Sequence, residues 1–323
     1  MSYIESVRWM MGIALVSSRS NGSGYLLALA TIFPLAVLSQ TPAPQAVQQL
    51  PALQNPIPAG DLAFLSGYAG RTTKELTKDK QFRALKKAMI PRTEYHYGRD
   101  MPLTDALDEA LNGSPLPVNM RDNRYVTVMG MQGPYLRGRG FLWFDVQTGI
   151  ALGGFYFTPT NGEPTPTLTV FSRQLNQTAL TLSELPEAFI EDLNQWSAVA
   201  GVPAITPRYF IPDNGKKYVL EHDEDYCSHP AGTPAPPERD CMQANLDAVN
   251  ADMDAAYFMK ETYNAANATA WMLDPQQAAW LAMRDSTCAG PNGLGCRIRM
   301  TRERTRIILG PRLPRPHPAQ ASR

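Results

Sequence analysis

All four cysteines of this chain lie in its last third, as Cys227 and Cys241 followed by Cys288 and Cys296. No other feature limits the fold as closely. Cysteines set in pairs serve a metal, redox chemistry or a covalent staple, and each implies a different protein. Zinc knuckles space their cysteines by roughly two to four residues. Neither pair is so spaced, and although His222 and His229 flank Cys227, no second knuckle follows. A C-x-x-C redox motif is missing as well. A disulfide set remains, for which four cysteines allow three connectivities. The local choice joins Cys227 to Cys241 and Cys288 to Cys296, and closing loops of this length contributes about 2 to 4 kcal/mol by restricting the unfolded chain.

Staples need an oxidising compartment, and the N-terminus has the pattern that leads to one. Tyr25 to Leu38, YLLALATIFPLAVL, is an uncharged apolar run with Arg8 and Arg19 ahead of it. It is shorter than the roughly 20 residues of a membrane span and suits a signal-peptide core. Val37 and Ser39 supply small residues for cleavage, and a start at Met10 or Met11 would shorten the lead. With no cysteine before Cys227 there is no lipobox, so the expectation is a periplasmic protein without a stable membrane span after cleavage. A formal net charge of zero over 323 residues argues against nucleic acid as a partner.

The expected organisation is α+β: an antiparallel β-meander domain with flanking helices, followed by a small disulfide-bonded helical domain. Residues 1–39 read as signal peptide, 40–60 as a Pro/Gln-rich linker, 61–226 as the α+β domain, 227–309 as the helical domain and 310–323 as a disordered tail. Leu76, Phe82, Leu85 and Met89 keep helical spacing within 71–89, and 105–111 reads as a second short helix. RYVTVMGM, GFLWFDVQTG, ALGGFYFTP and TLTVFSRQL are strands bounded by Gly, Pro or Asn. Ser183 is a candidate cap for a helix bearing Phe189, Leu193 and Trp196, and RYFIPDNGKKYVL is a hairpin around Asn214 and Gly215. In the last domain Met242, Leu246, Val249, Met253 and Tyr257 define one helix. A second starts at Asp274 and Pro275 and carries Trp280, Met283 and Arg284, and a third follows Cys296 to Leu309.

Trp280, Arg284, Asp285 and Cys288, then Cys296, Met300, Thr301, Arg304 and Thr305, with Cys241, Asn245, Leu246 and the Ala255-Ala256-Tyr257 segment upstream, resemble the lysozyme inhibitor LprI-type domain. The likeness covers about a quarter of the chain. It implies a small disulfide-bonded helical fold, an exported protein and inhibition of a peptidoglycan-cleaving lysozyme. On their own chemistry the same residues read as structure. Trp280 suits core packing, and Arg284 beside Asp285 suits a partly buried pair that orients the helix before the disulfide. Arg297, Arg299, Arg302, Arg304 and Arg306 suit either a solvated basic face or docking to an acidic partner.

RYVTVMGMQGPYLRGRGFLWFDVQTGIALGGFYF resembles, more weakly, the central hairpin of the inhibitor of vertebrate lysozyme (Ivy) family. There, a Cys-bracketed loop carrying a His plugs the lysozyme cleft. Here Met131 and Leu136 stand at the bracketing positions and the His is missing. Gln132, Gly133, Pro134, Tyr135 and Arg137 still form a candidate partner-binding tip. Tyr and Arg are favoured in hot spots, and Gly130, Gly133, Gly138 and Gly140 permit tight or left-handed backbone. A glycine-rich turn with no partner explains them equally well.

Glu221 to Asp225, EHDED, has oxygen ligands for calcium but no EF-hand spacing, and a solvated acidic cluster explains it better. There is no G-x-S-x-G, H-E-x-x-H or P-loop. Nothing calls for a catalytic residue, a metal or a cofactor. The leading expectation is an inhibitor that occludes a lysozyme-like muramidase or lytic transglycosylase, with immunity against a wall-degrading toxin as one use for it. A non-inhibitory structural or scaffolding envelope protein is the alternative, and an uncharacterised hydrolase comes third.

Overall fold

The computed structural model describes residues 52–131, 136–229, 232–266 and 273–310, with backbone alone at 263–266. The expected signal peptide and tail lie outside them, apart from Gly310. Within the expected linker the chain is already held to the sheet: Leu53 bridges Leu175, and the Gln54 amide donates to the Gln174 carbonyl at 2.8 Å.

The stretch read as one helix from residue 71 is two, α2 (Thr73–Leu76) and α3 (Lys80–Met89), preceded by the single turn α1 (Ala59–Leu62). The break falls at Asp79, whose carboxylate accepts from the Gln81 and Phe82 amides at 2.6 and 3.1 Å and so caps α3. Leu76, Phe82, Leu85 and Met89 are all buried, so the spacing identified the face correctly. A small ribbon, β1 (Glu94–His96) with β2 (Asp100–Pro102), leads into α4 (Leu103–Gly113).

The main sheet begins with the short β3 (Ser114–Pro115) and β4 (Asn119–Arg121). The four expected strands follow as β5 (Tyr125–Met131), β6 (Arg139–Asp145), β7 (Ile150–Phe157) and β8 (Thr167–Phe171). These four pair antiparallel in sequence order. After β9 (Leu180–Thr181) and α5 (Glu187–Ala200), β10 (Arg208–Ile211) lies parallel to β8. The hairpin strand β11 (Tyr218–Glu221) then lies parallel to β9. The order is β3-β5-β6-β7-β8-β10-β11-β9, with β4 beside β5. The sheet is therefore mixed rather than a pure meander. Its parallel step is the crossover through α5, which carries the chain from β8 and β9 back to the strand beyond β8.

Period-2 alternation sends Leu142 and Phe144 to one face of β6 and Phe141 and Trp143 to the other. The first face packs on the N-terminal helices and the second on α5. Both faces are covered, which is why these strands read as continuous apolar runs. Pro186, not Ser183, stands at the N-cap of α5; Thr181 and Glu184 instead form a capping box on the preceding turn.

The C-terminal helices are α6 (Glu238–Ala266), α7 (Leu273–Thr287) and α8 (Gly293–Leu309), so Cys296 lies inside the third helix instead of before it. Met253, Ala255 and Ala256 of α6 and Ile308 of α8 share a core with Tyr209 of β10 and Val219 of β11. Ala255 and Ala256 are fully buried, and their small side chains let α6 lie close on the hairpin. The described residues all belong to one unit, Val47–Arg323.

Candidate partner-binding site

The disulfides are Cys227–Cys241 and Cys288–Cys296, with Cα separations of 4.9 and 5.5 Å, within the usual range for a bridge. They are the two local pairs, and they leave no cysteine for zinc. The first ties the chain leaving the sheet to the first turn of α6. The second ties the end of α7 to the start of α8. Asn245 supports the first bridge, accepting from the Tyr226 amide at 3.0 Å and donating to Asp225 at 2.9 Å.

These bridges set α7 against α8, and the remaining motif residues meet between them. Arg284 is buried. Its Nη1 donates to Asn250 of α6 and to Thr301 of α8, each at 3.1 Å, and its Nε donates to Asp285 at 3.1 Å. Thr301 is fully buried and its carbonyl accepts from the Thr305 hydroxyl at 3.0 Å. Trp280, half-buried, has two guanidiniums over its ring, with Arg284 5.4 Å and Arg304 5.6 Å from the centroid. Arg304 is fixed in turn by Gln277 at 3.1 Å. The motif is thus a buried polar strut joining three helices. Of the arginines on α8, Arg297 faces Asp285 and Arg304 faces Gln277, whereas Arg299, Arg302 and Arg306 are exposed.

Residues 227–307 match the family model for lysozyme inhibitor LprI. The LprI-like segment is the stapled helical region together with this strut, and it supports a lysozyme-inhibitor function. LprI is an inhibitor family. The match stops short of the strand region on its N-terminal side, so it lends nothing to the Ivy resemblance. No curated protein and no solved structure matches the chain.

Of the candidate tip, Gln132, Gly133, Pro134 and Tyr135 lie outside the described residues. Arg137 is exposed, and the left-handed backbone belongs to Leu136 and Arg137, at φ 57° and 49°, not to the described glycines beside them. Those glycines serve packing: a Cβ at Gly130 would strike the Leu111 backbone of α4, and one at Gly138 would strike the Tyr97 hydroxyl. Leu136 is buried in the core beneath, and its carbonyl accepts from the Thr158 amide at 2.8 Å. The described residues on either side of 132–135 are therefore held to the core.

The acidic run is dispersed into the structure. Asp223 binds Ser183, Glu224 pairs with Arg208 at 2.6 Å, and Asp225 accepts from Asn245. Among the described residues no three His, Cys, Asp or Glu side chains gather as a metal site, and no helix is long and apolar enough to cross a membrane.

Sequence reasoning missed three buried polar centres. Asp192 accepts from Arg121 at 3.1 Å and from the Trp143 indole at 2.8 Å. Glu163, in the loop before β8, is buried against Lys217 at 2.9 Å. His222 meets Asp252 at 2.6 Å. The last is the geometry of two members of a catalytic triad, but its other nitrogen, Nε2, has no hydrogen-bond partner among the described residues, so no nucleophile completes it. Partners 30 residues or more apart leave no local spacing to read, although the acid at Glu163 amid turn residues was a visible oddity.

Proposed function

We propose that the chain is exported to the periplasm, where it inhibits a lysozyme-like peptidoglycan hydrolase, a muramidase or lytic transglycosylase, and serves as immunity against a wall-degrading toxin. The observation that carries this reading is the LprI match over 227–307, whose motif residues assemble into one stapled helical unit. Two disulfides support an oxidising destination.

Two segments compete for the target: the candidate residues 132–137, of which Arg137 is exposed, and the exposed face of α8 with Arg299 and Ile307. Deleting the helical region would not separate them, because Tyr209 and Val219 would lose their cover. Paired substitutions do so. Tyr135→Ala with Arg137→Ala, and Arg299→Glu with Ile307→Ala, are each compared with the parent protein in a wall-clearing assay of a muramidase. Removing hot-spot side chains costs about 2 kcal/mol or more, roughly a thirtyfold loss of affinity. The pair that weakens inhibition marks the surface. Absence of inhibition by the parent protein across a panel of muramidases and lytic transglycosylases would favour a structural envelope role. N-terminal sequencing of periplasmic material should begin near Gln40, and a full-length cytoplasmic protein would remove the export reading.

A further inference from the structure

Positive charge gathers at the C-terminal end of the sequence. Residues 286–323 hold eight arginines, no lysine and a single acid, Glu303, in a chain whose basic and acidic residues number 30 each. Two of the arginines on α8 serve the fold, Arg297 on Asp285 and Arg304 on Gln277. Arg299, Arg302 and Arg306 are exposed. At 3.6 residues per turn these three fall within about 60° of arc and about 10 Å of helix length, so they form one strip. Arg299 and Arg302 have no hydrogen bond or ion pair among the described residues. Arg306 meets Glu303 at 3.6 Å, with the two side chains 68% and 64% exposed, a pair that holds neither charge firmly. The helix dipole favours a cation in the last turn, which accounts for Arg306 but not for Arg299 in the second turn. Ile307 of the same helix is 61% exposed.

The acids that border the strip have partners of their own. Asp223 is engaged by Ser183, Asp225 by Asn245 and the Cys227 amide, and Glu221 is also partnered. Glu221 and Asp223 lie beside Arg302 and Arg306, at a cavity between the sheet edge and α8. Ile307 stands about 140° round the helix from Arg302, on the other flank of the strip. Every cation here is an arginine, whose planar fork matches a phosphate with two hydrogen bonds. Dense phosphate satisfies the arginines, and hydrocarbon just beneath it satisfies Ile307, whereas a soluble polyanion offers only the first. We propose that the outer face of α8 docks on an anionic phospholipid bilayer, with Arg299, Arg302 and Arg306 on headgroup phosphates and Ile307 at the edge of the acyl region. The apolar side of α8 stays packed on α6, so the attachment is peripheral. Beyond Gly310 the sequence adds Arg312, Arg315 and Arg323 and no acid, which suits the same surface. The proposal does not rest on inhibition.

Co-sedimentation of the full chain with vesicles tests it, with no hydrolase present, so that this proposal and the inhibitor reading can fail separately. Vesicles of phosphatidylglycerol and phosphatidylcholine in equal parts should bind the protein, and vesicles of phosphatidylcholine alone should not. Each arginine near an anionic surface contributes about fivefold, so Arg299→Gln, Arg302→Gln and Arg306→Gln together should weaken binding by about a hundredfold. Glu303→Gln removes the one acid on the strip and should strengthen binding by about fivefold. Ile307→Ser should weaken it by about fivefold. All these side chains are exposed and glutamine is a good helix former, so circular dichroism should be unchanged in every variant. Equal binding to the two kinds of vesicle, or undiminished binding by the triple arginine variant, would overturn the proposal. So would dextran sulfate binding the protein as tightly as the anionic vesicles with Ile307→Ser without effect on either, which would assign the strip to a soluble polyanion.

Discussion

Arg284 provides the sharpest test of what holds the helical region together. Its guanidinium makes two hydrogen bonds to neutral acceptors, the partly buried Asn250 and the fully buried Thr301, each contributing about 1.5 kcal/mol for a charged donor. The pair with Asp285, which is half exposed, adds less than about 1 kcal/mol. The stacking on Trp280 adds about 0.5 to 1 kcal/mol. Arg284→Ala should therefore destabilise the protein by about 3.5 to 5 kcal/mol, close to the cost of orphaning one member of a buried polar network. In a unit of this size that lowers the thermal midpoint by about 6 to 9 °C. Arg284→Lys retains the charge, yet a single ammonium cannot span three acceptors, so about half the loss should remain. Arg297 faces the same Asp285 at 3.3 Å but is 34% exposed, so Arg297→Ala should cost under about 1 kcal/mol. Urea titrations followed by circular dichroism measure all three variants. If Arg284→Ala proves no costlier than Arg297→Ala, the strut does not join these helices in the way argued.

Replacing Cys288 and Cys296 together by Ser should cost about 2.5 kcal/mol, and replacing Cys227 and Cys241 about 3 kcal/mol, on loops of 8 and 14 residues; denaturation of each double variant reads this directly. Gly130→Ala should destabilise through collision with the Leu111 backbone by about 1 to 3 kcal/mol, whereas Arg137→Ala, on the exposed loop, should leave the melting temperature nearly unchanged. Burial pushes the Asp145 carboxyl up, but hydrogen bonds from Arg124, Thr148 and the Gln147 and Thr148 amides outweigh it and hold the group below the usual carboxylate range. Its stabilising contribution is therefore complete above the unfolded value of about 3.9 and is lost as pH falls through the lower folded value. Asp145→Asn should flatten the acid limb of the stability profile below about pH 4, and an unchanged limb would contradict the assignment.

Local rules carried the sequence reading where neighbours in the chain decide the outcome. Helical spacing at Phe82, Leu85 and Met89, the apolar runs of β5 to β8 with their Gly, Pro or Asn bounds, the turn at Asn214 and Gly215 and both disulfides were legible because each depends on residues a few positions apart. The parallel pairing of β10 with β8 was not, since antiparallel and parallel strands present the same apolar runs when both faces are buried. Ser183 misled as a cap because Pro186 supplies a fixed φ for entry into α5, and the serine was free to bind Asp223 instead. In the helical region the motif residues were visible as a pattern, but Asn250 as the second acceptor for Arg284 was not. Gly130 and Gly138 beside the tip were noticed for backbone freedom, whereas close approach of α4 and Tyr97 is what requires them.

The two disulfides also bear on how the chain matures. Cys227 pairs with Cys241 and Cys288 with Cys296, each with its nearest neighbour among the thiols, while the nearest competing partners, Cys241 and Cys288, stand 47 positions apart. Encounter between chain ends falls roughly as the −3/2 power of their separation, so the second native pair meets about fourteenfold more often than that competitor. Random oxidation of an unfolded chain thus favours the correct bonds before any tertiary structure exists. A chain wired in this way can emerge from a translocation pore, oxidise as it appears and fold afterwards, with little call on an isomerase to undo mispaired thiols.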